Sequence, residues 1–449
     1  MGTLMVSVSG IRGIVGDGLD PETILKYTSA YADFIGEGKI IIGRDARITG
    51  RMVNDLVAGT LLAKGFDVVN IGICPTPTVQ FTVKELGANG GIAISASHNP
   101  NEWNALKLLN STGQFMTPDE NAEMLKYLDS KSEYKPWNEI GKPEQYNEGI
   151  ENHVNAVMHL PQIDIDKIKS KKFKVLVDCV NGAGVYVIPD LLKKFGCDVV
   201  ELNCDKTGIF PRSPEPLPEN LIETMEAVKA ASADLGVVVD PDVDRLVLIT
   251  NEGNPFGEEN TIAHIVKFVL SKEKGNVVVN LSTTRAVDDI AAEFSCKVIR
   301  SAVGEANVVK KMKEVKSIIG GEGSGGVIFP ALHYGRDALV GIALTLQHLS
   351  EFDGTITDLK NELPRYFIKK KKLNLNDANP DTILNKLKEK YKDEKINTED
   401  GLRIDFKDYW VHLRKSNTEP IIRIIAEAKT ENFASNIVEK YSAEIEKML

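Results

Sequence analysis

The chain has 449 residues, and at roughly 100–200 residues per domain it is long enough for three or four packed domains, which excludes a peptide hormone or a single small module. Its 54 Lys and Arg against 64 Asp and Glu give a formal net charge of −10. No overall basic field exists to hold nucleic acid or anionic lipid, so an anionic ligand needs a local positive pocket. With 42% hydrophobic and 26% charged residues, the composition is globular rather than disordered or fibrous.

The five cysteines, Cys74, Cys179, Cys197, Cys204 and Cys296, stand singly with no C-x-x-C pair. That predicts free, mostly buried thiols in a reducing compartment, not a disulfide frame or zinc site. The first positive charge is Arg12 and no secretory-type apolar core precedes it. No run approaches about 18 apolar residues, so a soluble cytoplasmic protein is expected, with neither membrane nor nucleic acid among its partners.

Along the chain one short pattern occurs three times: a β-branched run ending in polar residues, a helix-like run, a break at Gly, Cys or Phe, and a second strand. The first copy joins Ile40–Asp45 to Leu61–Val69, the second joins Val175–Asp178 to Leu191–Val200, and the third joins Val277–Asn280 to Ile290–Ile299. Strand, helix, strand predicts βαβ units around a mainly buried parallel sheet. After each copy a further apolar run enters a polar or Gly-rich loop. These loops are Ser95-Ala96-Ser97-His98-Asn99-Pro100, Asp240-Pro241-Asp242-Val243-Asp244-Arg245 and Gly320-Gly321-Glu322-Gly323-Ser324-Gly325-Gly326. Ligands of α/β sheets bind beyond the carboxyl ends of the strands, so the three loops are expected to share a cleft.

The last fifth differs. Lys369–Lys372 and the Asn/Asp-rich stretch to Asp381 read as an exposed linker. Leu402, Ile404 and Phe406 alternate with charged residues, Trp410–Arg414 and Ile421–Ala426 read as strands around the turn RKSNTEP, and a helix closes the chain after Asn432. A small α+β domain carrying one polar loop is predicted.

Asp240, Asp242 and Asp244 recur at i, i+2 and i+4 after an apolar strand. Three converging carboxylates are tolerable only around a cation, and hard oxygen ligands completed by phosphate oxygens suit Mg2+; the competing reading is a solvated acidic turn. Ser95, Ser97, His98 and Asn99 set two hydroxyls beside an imidazole and an amide, an inventory for nucleophilic or phosphoryl-carrier chemistry, although a lone Ser-His pair in a turn is more often structural. GEGSGG formally satisfies G-x-G-x-x-G, yet Val327–Pro330 reads as a strand where a dinucleotide site needs a helix. A turn presenting Glu322 and Ser324 to sugar hydroxyls fits better. Asn181-Gly182-Ala183-Gly184 lacks the third glycine and reads as a tight structural turn. Arg414, Ser416, Asn417 and Thr418 gather a guanidinium fork, two hydroxyls, an amide and backbone N–H groups suited to phosphate, the alternative being an ordinary hairpin turn.

In this order, Ser9-Gly10-Ile11-Arg12-Gly13, SASHNP, DPDVDR, GEGSGG and RKSNTEP resemble the α-D-phosphohexomutase superfamily of phosphoglucosamine mutases, phosphoglucomutases and phosphomannomutases across essentially the whole chain. The resemblance implies an α/β protein: three related α/β domains with mixed sheets and a smaller C-terminal α+β domain around a central cleft. Their expected bounds are 1–148 with the phosphoserine loop, 149–252 with the metal loop, 253–365 with the sugar loop and 366–449 with the phosphate loop. It implies Ser97 as the phosphorylated serine and Asp240, Asp242 and Asp244, with the phosphoryl oxygen of Ser97, as Mg2+ ligands. Arg12, His98 and Arg245 fall near that serine, and Lys107 matches a lysine implicated in general acid/base work. Glu322 and Ser324 fall on sugar-recognition positions, and Arg414, Ser416, Asn417 and Thr418 on the grip for the non-reacting phosphate. The implied activity interconverts hexose 6-phosphate and hexose 1-phosphate through a bisphosphorylated sugar, with hexose 1,6-bisphosphate as activator. Glucosamine 6-phosphate is the first expected substrate, and glucose or mannose phosphates are the alternative.

Two positions depart from the pattern. Several relatives close the third loop with a histidine where this chain has Gly326, and a histidine found in some V-G-x segments is here Glu305. Arg285 and His333 are the candidates to compensate, against readings as a helix cap and an ordinary loop residue. The start Asp240-Pro241-Asp242 also resembles haloacid-dehalogenase-type phosphatases, but that reading leaves Ser97 and RKSNTEP without work. A non-catalytic sugar-phosphate sensor is the third class, and no interface pattern indicates an oligomeric state.

Overall fold

The computed structural model describes residues 2–7, 10–129, 133–376, 378–415 and 421–449. Ser9, Ser416, Asn417 and Thr418 lie outside the described residues. The chain packs as two units, Met1–Thr261 with Ser324–Leu359, and Ile262–Gly323 with Lys360–Leu449.

In the first unit, Ile40, Ile41 and Ile42 are wholly buried, as a continuous β-branched run must be in a parallel strand covered on both faces. Their strand, Lys39–Arg44, runs parallel to Asp67–Ile73 and to Gly90–Ile94, while Trp103–Leu109 and then Gly10–Val15 add antiparallel strands. The sheet is therefore mixed. A second mixed sheet carries Asp198–Leu202, Lys174–Asp178 and Leu235–Val239 in parallel and Leu246–Thr250 antiparallel. The Asn181–Gly184 turn is structural as expected: Ala183 N donates to Pro241 O at 2.8 Å.

In the second unit, Val298–Ser301, Val277–Asn280 and Ile319–Glu322 are parallel. All three sequence-derived strand-helix-strand copies are thus present, with Gly50–Ala63, Ile188–Lys194 and Ala286–Glu293 as their helices. After the Gly-rich loop comes a strand of the first unit, Gly326–Ile328, not the helix a dinucleotide site needs. The C-terminal sheet is antiparallel, in the order Phe367–Asn374, Ile421–Ala428, Tyr409–Lys415, Leu402–Asp405, Lys395–Asn397. The helix Glu431–Glu446 buries Ala434, Ile437, Val438, Tyr441 and Ile445 in the core shared with these strands.

Lys369–Lys372 are not a linker; they form the middle half of the edge strand Phe367–Asn374, Lys370 opposite Ile425 and Lys372 opposite Arg423. Lys369 and Lys371, two residues apart and so on one face, reach Glu431 and Glu439 of the closing helix at 2.6 and 2.7 Å. An edge strand tolerates such a run because long aliphatic stems cover the sheet while the charges discourage further strand pairing. The cysteines are free, Cys74 and Cys179 buried and the other three partly exposed. Among the described residues no helix is long and apolar enough to cross a membrane.

His333 is no ordinary loop residue. It and His153, on the helix Gly149–Met158, both place Nε2 against Asp337 Oδ2, at 3.2 and 2.9 Å, while Asp337 Oδ1 accepts from Leu339 N and caps the helix Ala338–Glu351. Burial lowers the His333 pKa against the opposing pull of Asp337, so the folded state keeps this ring neutral. An unfolded histidine titrates near 6.5, so the stability present above that value is lost as pH falls through it. Thermal unfolding between pH 8 and 5 is expected to show a smaller acid-side loss for His333→Gln than for the wild type; equal slopes would refute the assignment.

Candidate active site

Two hairpin connections of the first unit carry the candidate reactive groups. The serine loop joins Gly90–Ile94 to its antiparallel partner Trp103–Leu109, and the aspartate loop joins Leu235–Val239 to Leu246–Thr250, closing on the pair Val239 and Leu246. Both apolar strands end where polar side chains begin, so each turn lifts its polar residues out of the sheet. Both turns are strained: Ser97 has φ +49° and Val243 φ +64°, left-handed conformations that cost non-glycine residues roughly 1–3 kcal/mol and persist only where the surroundings hold them.

Arg47, a residue the sequence reasoning missed, holds the serine loop. Its guanidinium donates to the carbonyls of Ser97, Asn99 and Pro100 at 2.5, 2.8 and 2.5 Å, and its Nε pairs with Asp45 Oδ2 at 3.0 Å. Asp45 also accepts from Ser95 Oγ at 2.7 Å, and Ser95 Oγ in turn accepts from Ser97 N at 2.9 Å. Arg47→Ala leaves Asp45 buried without its cation, a loss of about 3–5 kcal/mol. Thermal unfolding should register that loss together with a fall in kcat, and an unchanged melting temperature would show that the loop holds itself.

Around Ser97 the structure gathers eight of the expected residues. Ser97 Oγ donates to Asp240 Oδ2 at 2.8 Å, and His98 Nδ1 lies 3.4 Å from the same hydroxyl. Burial, then Arg245 and Arg12, push the His98 pKa down to about 3, so it is neutral near neutral pH. Arg12 donates to Asn99 Oδ1 at 2.8 Å. Lys107 Nζ, from the return strand, lies 2.5 Å from Asp242 Oδ2 and 3.6 Å from Asp244 Oδ2; Arg245 Nε is 3.9 Å from Asp244 Oδ1. Two further partners were not foreseen: Thr76 Oγ1 donates to Asp242, and Arg336 Nη2 reaches Asp244 Oδ2 at 2.6 Å.

The electrostatics follow from crowding charge in a dry place. Burial, then the charges of Asp244 and Asp242, push Asp240 well above the usual carboxylate range. Burial acts the same way on Asp242, but Lys107 and the hydroxyl of Thr76 outweigh it and hold Asp242 low. Lys107, despite burial, is raised by Asp242 and Asp244, so it is held as a cation. Ligand oxygens of the three aspartates lie within 4.8 Å of one another. One oxygen each of Asp242 and Asp244 is buried and accepts no hydrogen bond, a donor set that fits a hard cation such as Mg2+.

The other expected residues sit in different settings. Glu322 ends the strand Ile319–Glu322, buried, accepting from Asn280 Nδ2 and Gly304 N at 2.9 and 3.0 Å. Arg414 pairs with Asp400 at 2.8 Å. Both belong to the second unit; Ser324 belongs to the first and is partly exposed. Arg285 begins the helix Ala286–Glu293 without a side-chain cap bond and instead donates to the carbonyls of Phe406, Lys407 and Tyr409, work that ties down a turn. Glu305 opens the helix Glu305–Val315, where the first turn favours a carboxylate.

A hydroxyl in a strained turn, three carboxylates shaped for a hard cation and a set of buried cations define a phosphate-transferring enzyme on an α/β framework. Four family models match in order: phosphoglucomutase/phosphomannomutase alpha/beta/alpha domain I at residues 4–135, domain II at 151–253, domain III at 258–367 and the C-terminal domain at 372–443. The chain belongs to the phosphoglucomutase/phosphomannomutase family and is a mutase. A relative from Thermococcus kodakarensis named phosphoglucomutase/phosphomannomutase is 38% identical over 440 residues, 96% of each chain. A relative from Sulfurisphaera tokodaii named phosphoglucosamine/phosphogalactosamine mutase is 34% identical over 456 residues, 99% of this chain and 100% of the relative. The crystal structure of a phosphoglucomutase/phosphomannomutase family protein from Burkholderia thailandensis is similar with a TM-score of 0.85 at 27% identity, covering 97% of each chain.

Proposed function

We propose that this mutase interconverts hexose 6-phosphate and hexose 1-phosphate through phosphorylated Ser97 and a bisphosphorylated sugar, with glucosamine 6-phosphate as the leading substrate. The carrying observation is the hydrogen bond from Ser97 Oγ to Asp240 Oδ2 at 2.8 Å, which sets the candidate nucleophile against the carboxylates. Asp240, Asp242 and Asp244 would hold Mg2+, which when bound supplies charge neutralisation for the phosphoryl oxygens.

Phosphoryl transfer asks for placement and positive charge more than covalent help. Lys107, Arg245 and Arg12 act as fixed cations around Ser97, and neutral His98 orients its hydroxyl. In the forward half-reaction the phosphoryl group leaves Ser97 Oγ for the free hydroxyl of the hexose phosphate, whose proton goes to the freed serine oxygen; in the return half the other phosphate of the bisphosphate goes to Ser97, and the serine proton to the freed sugar oxygen. Glu322 and Ser324 would meet sugar hydroxyls, while Arg414, Ser416, Asn417 and Thr418 would grip the phosphate not in transfer.

A glucose and mannose phosphate reading is favoured by the higher identity of the Thermococcus kodakarensis relative, 38% against 34%. The test is a coupled assay of glucosamine, glucose and mannose 6-phosphates with Mg2+ and catalytic hexose 1,6-bisphosphate. The highest kcat/KM is expected for glucosamine 6-phosphate; the lowest value for it would hand the assignment to the second reading, and no interconversion of any of them would refute the mutase mechanism.

A further inference from the structure

Gly326 closes the third loop and opens the strand Gly326–Ile328. Its backbone lies outside the left-handed region, so its conformation does not demand glycine. What a side chain there would disturb is Arg336: a Cβ at this position would stand 2.3 Å from Arg336 Cδ and 3.0 Å from Arg336 Cγ. The arginine side chain lies over the glycine and uses the space that any larger residue would occupy. Its backbone is held on both sides, by the antiparallel bridge between Ile328 and Arg336 and by the next residue, Asp337, which His153 and His333 clamp. From this mount Arg336 Nη2 meets Asp244 Oδ2 at 2.6 Å, while Asp244 Oδ1 stays buried and accepts no hydrogen bond.

We propose that Gly326 and Arg336 are one device, in which the absent side chain at 326 makes room for Arg336, and Arg336 is a positioning residue that fixes the Asp244 carboxylate through Oδ2 and leaves Oδ1 to the metal. This rests on the reading that Asp240, Asp242 and Asp244 hold a divalent cation. Without the guanidinium, Lys107 Nζ, 3.6 Å from Oδ2, is the cation next in line and turns the carboxylate toward itself. Outer partners of metal-ligating carboxylates fix their orientation, and losing one typically weakens metal binding about 10–100-fold.

The experiment measures Mn2+ affinity by electron paramagnetic resonance for the wild type, Arg336→Met, Arg336→Lys, Gly326→Ala and the double variant Gly326→Ala/Arg336→Met, with circular dichroism melts to confirm folding. Arg336→Met and Gly326→Ala are each expected to bind Mn2+ about tenfold more weakly, Arg336→Lys to recover part of the loss, and the double variant to be no weaker than Arg336→Met, since the side chain that a new Cβ displaces is already gone. Wild-type affinity in Gly326→Ala, or additive losses in the double variant, would overturn the coupling. Tighter Mn2+ binding by Arg336→Met would show that the arginine competes with the metal for Asp244, and would overturn the positioning role. A wild type that binds no Mn2+ would instead remove the metal reading of the three aspartates, and this proposal with it.

Discussion

Ser97→Ala is expected to lower mutase turnover by roughly 10^4-fold or more, the scale on which enzymes lose activity when a nucleophile is removed. The variant should still fold. What holds the serine loop is the clamp of Arg47 on the backbone carbonyls of Ser97, Asn99 and Pro100, none of which uses the Ser97 side chain. The substitution removes the contacts of Oγ with Asp240 at 2.8 Å and, at a long 3.4 Å, with His98 Nδ1, of which the first is worth about 0.5–1.5 kcal/mol, or somewhat more to a charged acceptor. Loss of chemistry should thus greatly exceed loss of stability. Incubation with hexose 1,6-bisphosphate followed by intact-protein mass spectrometry should add one phosphoryl group to the wild type, mapped to Ser97, and none to the variant. Full turnover in Ser97→Ala would end the phosphoserine mechanism, and a labile phosphoryl group on Asp240 would point to the phosphatase alternative.

Lys107→Met carries the second large effect, because this residue neutralises two buried carboxylates at once. Its amine lies 2.5 Å from Asp242 and 3.6 Å from Asp244, and its side chain is only 4% exposed. Removing one partner of such a buried pair costs about 3–5 kcal/mol, chiefly because the other charge is left without compensation. The metal-free variant should therefore melt well below the metal-free wild type. Mg2+ should recover part of that difference, since a ligand at 100 times its Kd stabilises a protein by about 2.7 kcal/mol and a dication replaces the missing charge. Turnover should remain low even with Mg2+ present, by about 10^2–10^3-fold, the scale of losing one fixed group that stabilises transition-state charge. Melting curves with and without Mg2+ and steady-state kcat measure both effects; a variant as stable as the wild type without metal would show that Lys107 is not the counter-charge.

The sequence alone determines the features that are written locally. Ile40–Ile42, Val175–Val177 and Val277–Val279 are continuous apolar runs, β-branched except at Leu176, and such a run is stable only where both faces of the strand are covered, so parallel strands follow from composition and spacing. Ser97 and the aspartates at 240, 242 and 244 are conspicuous for the same reason: polar residues sit within a few positions of the strand that carries them. Tertiary structure decides the rest. Arg47 acts on a residue 50 positions away, Arg336 on one 92 away and Thr76 on one 166 away, and pairs so separated leave no period in the chain. Lys369–Lys372 look like a solvated run until a closing helix with Glu431 and Glu439 gives the lysines a reason to lie in a strand. Gly326 looks like one more small residue of a Gly-rich loop until Arg336 is seen over it. The local sequence can specify which groups are available, but whether a buried charge is tolerated depends on which opposite charge the fold brings beside it, and only packing settles that.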